Sequence, residues 1–265
     1  MGAGWNFLRV YKLATGKYYK QAAHDDFCEP DFLEVCIDAL ESDPGLVVAH
    51  TKTRVVDAEG NLIEDYECPL RTDHSDPVVR FADLTIINHR CFQIFGVHRL
   101  SALQSLPPMG SFPHADGVLL AQLGLIGRFF ESEKRLFINT RHSGQSSWTM
   151  PARNQKPRFR LTSKDIRMPP QEWWDPERGQ KITLPEWNIF VQYLRSIKRS
   201  SLDSAQKMRA RSALLRWSVR YHRKLLGDFV FAADHMLWKL QSFGEHSQPQ
   251  QSDALASDAA GGKHS

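Results

Sequence analysis

Long apolar runs and paired cysteines are both missing from this sequence of 265 residues. No stretch of about 18 apolar residues occurs, which excludes a segment with the length and composition of a membrane-spanning helix. The four cysteines are Cys28, Cys36, Cys68 and Cys91; none forms a C-x-x-C pair, and none stands near histidine at zinc-finger spacing. So few cysteines exclude a disulfide framework and predict reduced thiols in a cytoplasmic protein.

Internal repeats and a biased composition are absent as well. The chain is 42% hydrophobic and 24% charged, which is ordinary for a globular protein and excludes collagen, a coiled coil and a wholly disordered chain. Its first residues lack a basic segment followed by an apolar stretch, so no secretory signal is predicted. The length fits one large domain or two small ones.

Charge is divided unevenly along the chain, although the formal total is only +4. Residues 1–150 carry 14 Lys and Arg against 19 Asp and Glu, a net charge of −5. Residues 151–247 carry 19 against 9, a net charge of +10, and residues 248–265 carry a net charge of −1. This division predicts a carboxylate-bearing site in the first half and an anionic partner or surface for the basic part.

Hydrophobic periodicity in the first half alternates between helical and extended patterns. The patterns predict helices over 5–14, from 29–31 to 42, over 78–87 and over 117–126, and strands over 18–23, 46–56, 91–97, 128–131 and 135–140. A turn is predicted at 57–61, where Asp, Gly and Asn cluster. Such alternation predicts an α/β fold with a largely parallel sheet.

The composition changes after His142. Residues 143–181 are rich in Ser, Pro, Arg and Trp and are predicted to form an extended connection or lid, whereas 184–241 have helical patterns throughout. Residues 248–265 are of low complexity and are predicted to be disordered. The predicted organisation is an α/β domain over 1–145, a basic linker and helical extension over 146–247, and a disordered tail over 248–265.

An acidic pair follows the first predicted strand. Asp25 and Asp26 come directly after the strand pattern of 18–23 and His24. In open α/β sheets ligands bind outside the carboxyl ends of the strands, and adjacent carboxylates suit Mg²⁺ or Mn²⁺. The alternative is that one of the two aspartates serves the start of the next helix.

Two further residues are candidates for chemistry. Asp116 stands between a loop rich in Gly and Pro and the helix predicted over 117–126, so it is either a general base or a helix cap. His142 follows the last predicted strand and is either a nitrogen ligand to a metal that carboxylates hold, or a solvated loop residue.

Short segments in a fixed order along residues 2–142 carry a family resemblance. They are residues 2–7, 16–20, 22–26, 30–33, 52–54, 57–63, 95–99, 110–116, 119–123, 127–129 and 141–142. In this order the segments resemble the middle of a bacterial family-2 glycosyltransferase, with a looser resemblance continuing to about residue 230. The resemblance implies a GT-A type, Rossmann-like fold that handles nucleotide-diphospho-sugars.

The resemblance also implies roles for individual residues. The acidic Asp-x-Asp-type motif of the family falls on 24–26, so that Asp26 would bind Mn²⁺ or Mg²⁺ and Asp25 would lie near the ribose or sugar of the donor. His24 and Asn6 are assigned with Asp25 to donor binding. Asp116 would deprotonate the acceptor hydroxyl for an attack with inversion, and His142 would lie near the diphosphate or the metal.

The sequence departs from the family pattern at two points. Ala115 stands where many members carry Glu, so the assignment of the base rests on Asp116 alone. Family members also open with a strand and an Ile-Pro-x-Tyr-Asn-like loop before the stretch that matches Gly2. Two such βα units amount to roughly 70–80 residues. The chain is therefore expected to be an N-terminally truncated GT-A sheet followed by a helical extension, with activity of the truncated chain left open.

Residues 207–224 combine cationic and aromatic side chains, and three interpretations stay open. They are a helix packed on the catalytic domain with a solvated basic face, an interfacial helix on anionic lipid, and a nucleic-acid-binding segment, for which no motif is present.

The predicted function is a metal-dependent, inverting glycosyltransferase of bacterial polysaccharide or glycolipid synthesis. Its partners would be a nucleotide-sugar donor, a glycan or lipid-linked acceptor and, through 203–240, the inner face of the cell membrane. The alternative is an inactive remnant or a basic helical module that binds a membrane or partner.

Overall fold

The computed structural model describes residues 2–143, 174–176 and 183–245. Eight α-helices are described: α1 Ala3–Leu13, α2 Phe32–Ser42, α3 Pro77–Ile86, α4 Leu100–Gln104, α5 Ala115–Ile126, α6 Pro185–Arg199, α7 Ser204–Arg220 and α8 His222–Glu245. Six strands are described: β1 Tyr18–Lys20, β2 Phe27–Cys28, β3 Leu46–Asp57, β4 Leu62–Tyr66, β5 Val97–Arg99 and β6 Arg128–Arg141. The predicted lid over 143–181 falls outside these residues except for 143 and 174–176, and the predicted tail lies wholly outside them.

The six strands form one mixed sheet, which is compatible with a Rossmann-like fold. Its order is β1-β5-β3-β6-β2, and β4 also pairs with β3. Within this sheet only β3 and β6 run parallel, whereas the pairs β1–β5, β3–β5, β3–β4 and β2–β6 are antiparallel. The prediction of a largely parallel sheet is therefore wrong. The parallel pair is joined by the helical crossover that such a pair needs, but a short hairpin turn is enough to add β4.

The hairpin turn between β3 and β4 follows from its residues. Asp57 accepts hydrogen bonds through Oδ1 from the backbone N–H groups of Glu59 and Asn61, at 3.0 and 2.7 Å. Gly60 has φ 87°, a left-handed conformation that glycine adopts without a steric penalty. The turn predicted at 57–61 is confirmed.

Two strand predictions differ from the structure. The strands predicted over 128–131 and 135–140 are one continuous strand, β6; the ladder to β3 shifts there, because Ser132 pairs with Thr51 and Arg135 with Lys52. The extra residues bulge out of the ladder without ending the strand. The strand predicted over 91–97 is wrong, because Phe92–Phe95 form a 3₁₀ helix and only Val97–Arg99 pair as a strand.

Apolar side chains form two buried clusters. One lies between α2 and the sheet and includes Phe32, Cys36, Leu40 and Phe137. The larger cluster joins the sheet and α5 to the C-terminal helices, and its members include Phe81, Leu120, Phe129, Ile189, Tyr193, Leu214 and Trp217. The helices α6 and α7 therefore share a core with the sheet-forming half of the chain.

Two negative expectations from the sequence concern cysteines and membrane spans. All four cysteines are free thiols. Among the described residues, no helix combines the length and the apolar character that crossing a membrane requires.

Candidate functional site

Strand β2, which begins one residue after Asp26, holds this residue at the end of β6. The pairing of β2 with β6 sets Phe27 opposite Ile138, which brings the preceding Asp26 to Asn139 and Thr140. Oδ1 of Asp26 accepts hydrogen bonds from Asn139 Nδ2 at 2.8 Å and from the Thr140 backbone N–H at 2.9 Å. Because β1 already ends at Lys20, it is β2 and β6 that position the acidic pair, and not the strand predicted over 18–23.

The charge of Asp26 carries an energetic cost. Burial raises the pKa of this carboxyl group, and the neighbouring negative charge of Asp25 raises it further, against the lowering effect of the Thr140 and Asn139 hydrogen bonds. Neither aspartate starts the next helix, since Asp31 is the N-cap residue of α2. The alternative that one of the two aspartates serves the start of the next helix is therefore wrong.

His142 contacts the other member of the acidic pair. Its Nε2 atom lies 3.0 Å from Oδ2 of Asp25, and both side chains are partly buried. The structure thus brings Asp25, Asp26 and His142 together where β6 ends. The remaining predicted donor ligands, His24 and Asn6, are exposed, the first beside the acidic pair in the chain and the second on α1.

Asp116 lies in the first turn of α5 and is not its cap. The N-cap position is taken by His114, which has a positive φ of 64°, and helix α5 begins at Ala115. Oδ1 of Asp116 accepts a hydrogen bond from the Gly117 backbone N–H at 2.8 Å. The interpretation of Asp116 as the helix cap is therefore wrong, while its proposed role as a base stays a prediction.

Asp116 belongs to a group that the sequence did not reveal. Ligand atoms of Cys91, His114 and Asp116 all lie within 4.8 Å of one another, and within the described residues this is the group of three His, Cys, Asp or Glu side chains with such spacing. Cys91 and His114 are also the non-glycine residues with positive φ in the described part of the chain. No sequence motif links residues 23 positions apart, so only the fold shows this group.

A cavity of about 320 Å³ opens beside Asp116 and His114. Its wall continues onto the C-terminal helices, where Glu186, Trp217, Tyr221 and Lys224 line it. The contribution of α6 and α8 to this wall was not predicted, because the sequence of these segments shows only helical periodicity. The cavity therefore combines residues from the acidic and the basic parts of the chain.

Two buried carboxyl groups have raised pKa values, that of Glu186 in the cavity wall and that of Asp228 beside it. Burial raises the pKa of Glu186 to about 7, and the nearby Asp228 carboxylate adds to the increase, whereas Lys224 lowers it. Lys224 Nζ lies 3.8 Å from Glu186 Oε1. Burial also raises the pKa of Asp228 to about 6, although its Oδ2 accepts the backbone N–H groups of Glu186 and Trp187.

Comparison with known proteins points to one class, the glycosyltransferases. No family model matches the chain. A segment of 70 residues, 26% of this chain, is 42% identical to a chondroitin synthase from Escherichia coli. The matched segment covers 10% of the length of that protein. The similarity supports a glycosyltransferase over a short stretch and leaves the type of transferase open.

Proposed function

We propose that this chain is a metal-dependent, inverting glycosyltransferase of the family-2, GT-A type. It moves a sugar from a nucleotide-diphospho-sugar to a hydroxyl group of a glycan or lipid-linked acceptor in bacterial polysaccharide or glycolipid synthesis. The observation that carries the proposal is the proximity of Asp25, Asp26 and His142 at the end of β6. The 42% identity to a chondroitin synthase supports the general class.

Asp25, Asp26 and His142 offer carboxylate oxygens and an imidazole nitrogen to a divalent cation, although their ligand atoms are less closely spaced than those of Cys91, His114 and Asp116. Both described hydrogen bonds to Asp26 end on Oδ1, so neither of them occupies Oδ2. Carboxylate oxygens with one imidazole nitrogen form a donor set that suits Mn²⁺ or Mg²⁺, and a cation there offsets the cost of burying two adjacent carboxylates. Asp26 and His142 would hold the ion, with Asp25 turned to the donor. When bound, the ion supplies charge stabilisation for a leaving diphosphate.

Asp25 has a second task in this proposal. Its carboxylate is already held by His142 Nε2 at 3.0 Å, so its direction is set before a donor arrives. Asp25, together with the exposed His24 and Asn6, would contact the ribose or the sugar. These three assignments rest on the family resemblance and on the position of 24–26 beside β6.

Asp116 would act as the general base. Its Oδ1 is held by the Gly117 N–H, and the side chain lines the cavity of about 320 Å³, where an acceptor hydroxyl can approach. The carboxylate takes the hydroxyl proton while the acceptor oxygen forms a bond to the anomeric carbon. The bond from that carbon to the diphosphate oxygen breaks on the opposite side, which inverts the configuration.

A transfer assay tests this function. Nucleotide-diphospho-sugars are incubated with Mn²⁺, acceptor oligosaccharides and either the wild-type chain or the Asp116→Asn variant. We expect transfer by the wild type and a loss of about 100-fold or more in the variant, since a positioned base contributes about 10²–10⁴ in rate.

The matched control is Asp38→Asn, which changes an exposed carboxylate on α2. This variant is expected to transfer at the wild-type rate. Unchanged turnover in Asp116→Asn would remove Asp116 as the base, and the absence of transfer by the wild type across the panel would contradict the proposed function.

A contact with anionic membrane lipid is a second proposal for the same chain. The segment Ser204–Arg220 carries five basic and no acidic residues. Met208, Leu215 and Val219 are each 65% exposed on this helix, although Leu214 and Trp217 are buried on its other side. Exposed apolar side chains among cations are the signature of an interfacial helix. The helix would bring the transferase to a lipid-linked acceptor.

A further inference from the structure

A compact group of sulfur, nitrogen and oxygen ligands lies at the wall of the cavity, apart from the acidic pair at β6. We propose that Cys91, His114 and Asp116 bind a divalent transition-metal ion of the zinc class. Their ligand atoms lie within 4.8 Å of one another, with Cys91 buried and the other two partly buried. Three protein ligands of these types, with a further position open, are typical of zinc sites that stay accessible.

The hydrogen bond to Tyr193 prepares His114 for this role. Its Nε2 atom lies 3.2 Å from the hydroxyl group of Tyr193, which is fully buried. With the proton on Nε2 donated to that oxygen, Nδ1 presents its lone pair, and Nδ1 lies 4.0 Å from Asp116 Oδ1. Metal-binding histidines are commonly oriented in this way by a partner on the other ring nitrogen.

The backbone at two of the three ligands is held in a costly conformation. Cys91 has φ 55° and His114 has φ 64°, in the left-handed region where a residue other than glycine carries a steric cost. His89 holds Cys91 there: its Nδ1 accepts the Cys91 backbone N–H at 3.2 Å, while its Nε2 donates to Leu84 O at 3.1 Å. Both positive-φ residues thus contribute a ligand atom to the same group.

The chemistry of the ligands selects the ion. A thiolate with an imidazole suits Zn²⁺ or Co²⁺, whereas the oxygen-rich pair Asp25 and Asp26 suits Mg²⁺ or Mn²⁺. Binding forms bonds to Sγ, a ring nitrogen and a carboxylate oxygen, and it releases the thiol proton of Cys91 to solvent. Since His114 and Asp116 line the cavity, the ion reaches the site through it.

Cobalt titration of the full chain tests the site. Co²⁺ is added to the reduced protein, and thiolate-to-cobalt charge-transfer absorption is recorded. We expect the absorption in the wild type, its removal by excess Zn²⁺ and its absence in Cys91→Ser. The matched control Cys68→Ser changes a partly buried thiol outside the group and retains the absorption, as does Asp26→Ala. No absorption in the wild type, or the same absorption in Cys91→Ser, overturns the proposal.

A second variant keeps the test decisive if Cys91→Ser does not fold. Asp116→Asn is expected to bind Co²⁺ at least about tenfold more weakly, as loss of a ligand or its support does in other metal sites. Unchanged affinity in this variant overturns the role of Asp116 as a ligand.

If Asp116 is the general base, Zn²⁺ bound to its carboxylate would inhibit transfer. This consequence rests on the proposed function. Zn²⁺ is expected to inhibit transfer by the wild type and not by Cys91→Ser. The cobalt spectrum needs no transfer activity, so failure of the metal site and failure of the proposed function are distinguishable.

Discussion

The carboxyl group of Glu186 lies in surroundings that favour its protonated form. Only 3% of the residue is exposed, and Lys224 is its described ion-pair partner at the long distance of 3.8 Å. Burial raises its pKa to about 7 from the usual 4.5, and the negative charge of Asp228 adds to the increase. Since an unfolded chain restores the usual value, protonation of Glu186 is linked to folding.

This linkage predicts a loss of stability with rising pH. Between pH 4.5, the usual pKa of the carboxyl group, and pH 7, its pKa in the folded protein, the folded protein binds more protons than the unfolded chain. The stability that protonated Glu186 contributes is therefore complete below about pH 4.5 and is lost as pH rises through 7. Asp228, with a pKa raised to about 6, acts in the same direction. We expect the wild type to lose on the order of 2 kcal/mol of unfolding free energy from pH 5 to pH 8 through Glu186.

Urea unfolding of Glu186→Gln at pH 5 and pH 8 measures this effect. The amide cannot ionise, so the variant is expected to lack the loss of unfolding free energy that Glu186 causes between the two pH values. The other groups with shifted pKa values, among them Asp228, His50 and His98, act alike in both proteins. Equal differences in the wild type and the variant would contradict the account of Glu186.

Single residues show where sequence reasoning reaches its limit. Asp25, Asp26 and His142 were predicted to act together, and the fold does bring them together at β6. The sequence predicts Asp116 just before a helix over 117–126, but the helix begins at Ala115. A helix cap is normally identified by residue type, and here His114 takes that position with a positive φ. The place of Cys91 beside His114 and Asp116 results from tertiary packing, which the spacing of residues in the sequence does not reveal.

At the scale of the element, α7 presents two unlike faces. Ala210, Ala213, Leu214 and Trp217 are buried in the core, whereas Met208, Leu215 and Val219 are exposed among basic residues. The buried face explains why the helix folds against the sheet half. The exposed face is what the proposed lipid contact requires.

Vesicle flotation with Leu215→Glu tests that contact. Burying a leucine side chain is worth about 1.5–3 kcal/mol, and a carboxylate is repelled by anionic lipid, so binding to anionic vesicles should fall at least about tenfold. Leu62→Glu is the matched control, since Leu62 is 59% exposed on β4 and is expected to leave binding unchanged. The lipid contact would be rejected if both variants floated with anionic vesicles as the wild type does, or if none of the three proteins floated.

Most helices and the long strand β3 follow from local pattern, whereas the direction of the strands does not. The predicted helices over 5–14, 78–87 and 117–126 agree with α1, α3 and α5 within two residues. Alternation of strands and helices favoured a parallel sheet, but β5 and β2 enter the sheet as strands of three and two residues in antiparallel pairs. Pairs this short depend on tertiary packing and leave little trace in the periodicity.

At the scale of the whole molecule, the uneven charge does not separate the chain into unrelated parts. Tyr193 and Trp217 of the basic part belong to the same core cluster as Phe81 and Leu120 of the acidic part. The cavity beside Asp116 is likewise completed by residues of α6 to α8. Composition predicted the two regions, but only the packing shows that they build one cavity together.

In the proposed function, Asp26 holds the cation through which a nucleotide-diphospho-sugar binds. Isothermal titration calorimetry with a panel of nucleotide-diphospho-sugars, with Mn²⁺ or with a chelator, measures this most directly for the wild type, Asp26→Ala and the control Asp38→Ala. We expect binding that requires Mn²⁺ in the wild type and the control, and an affinity at least about tenfold lower in Asp26→Ala. Undiminished metal-dependent binding in Asp26→Ala would contradict it.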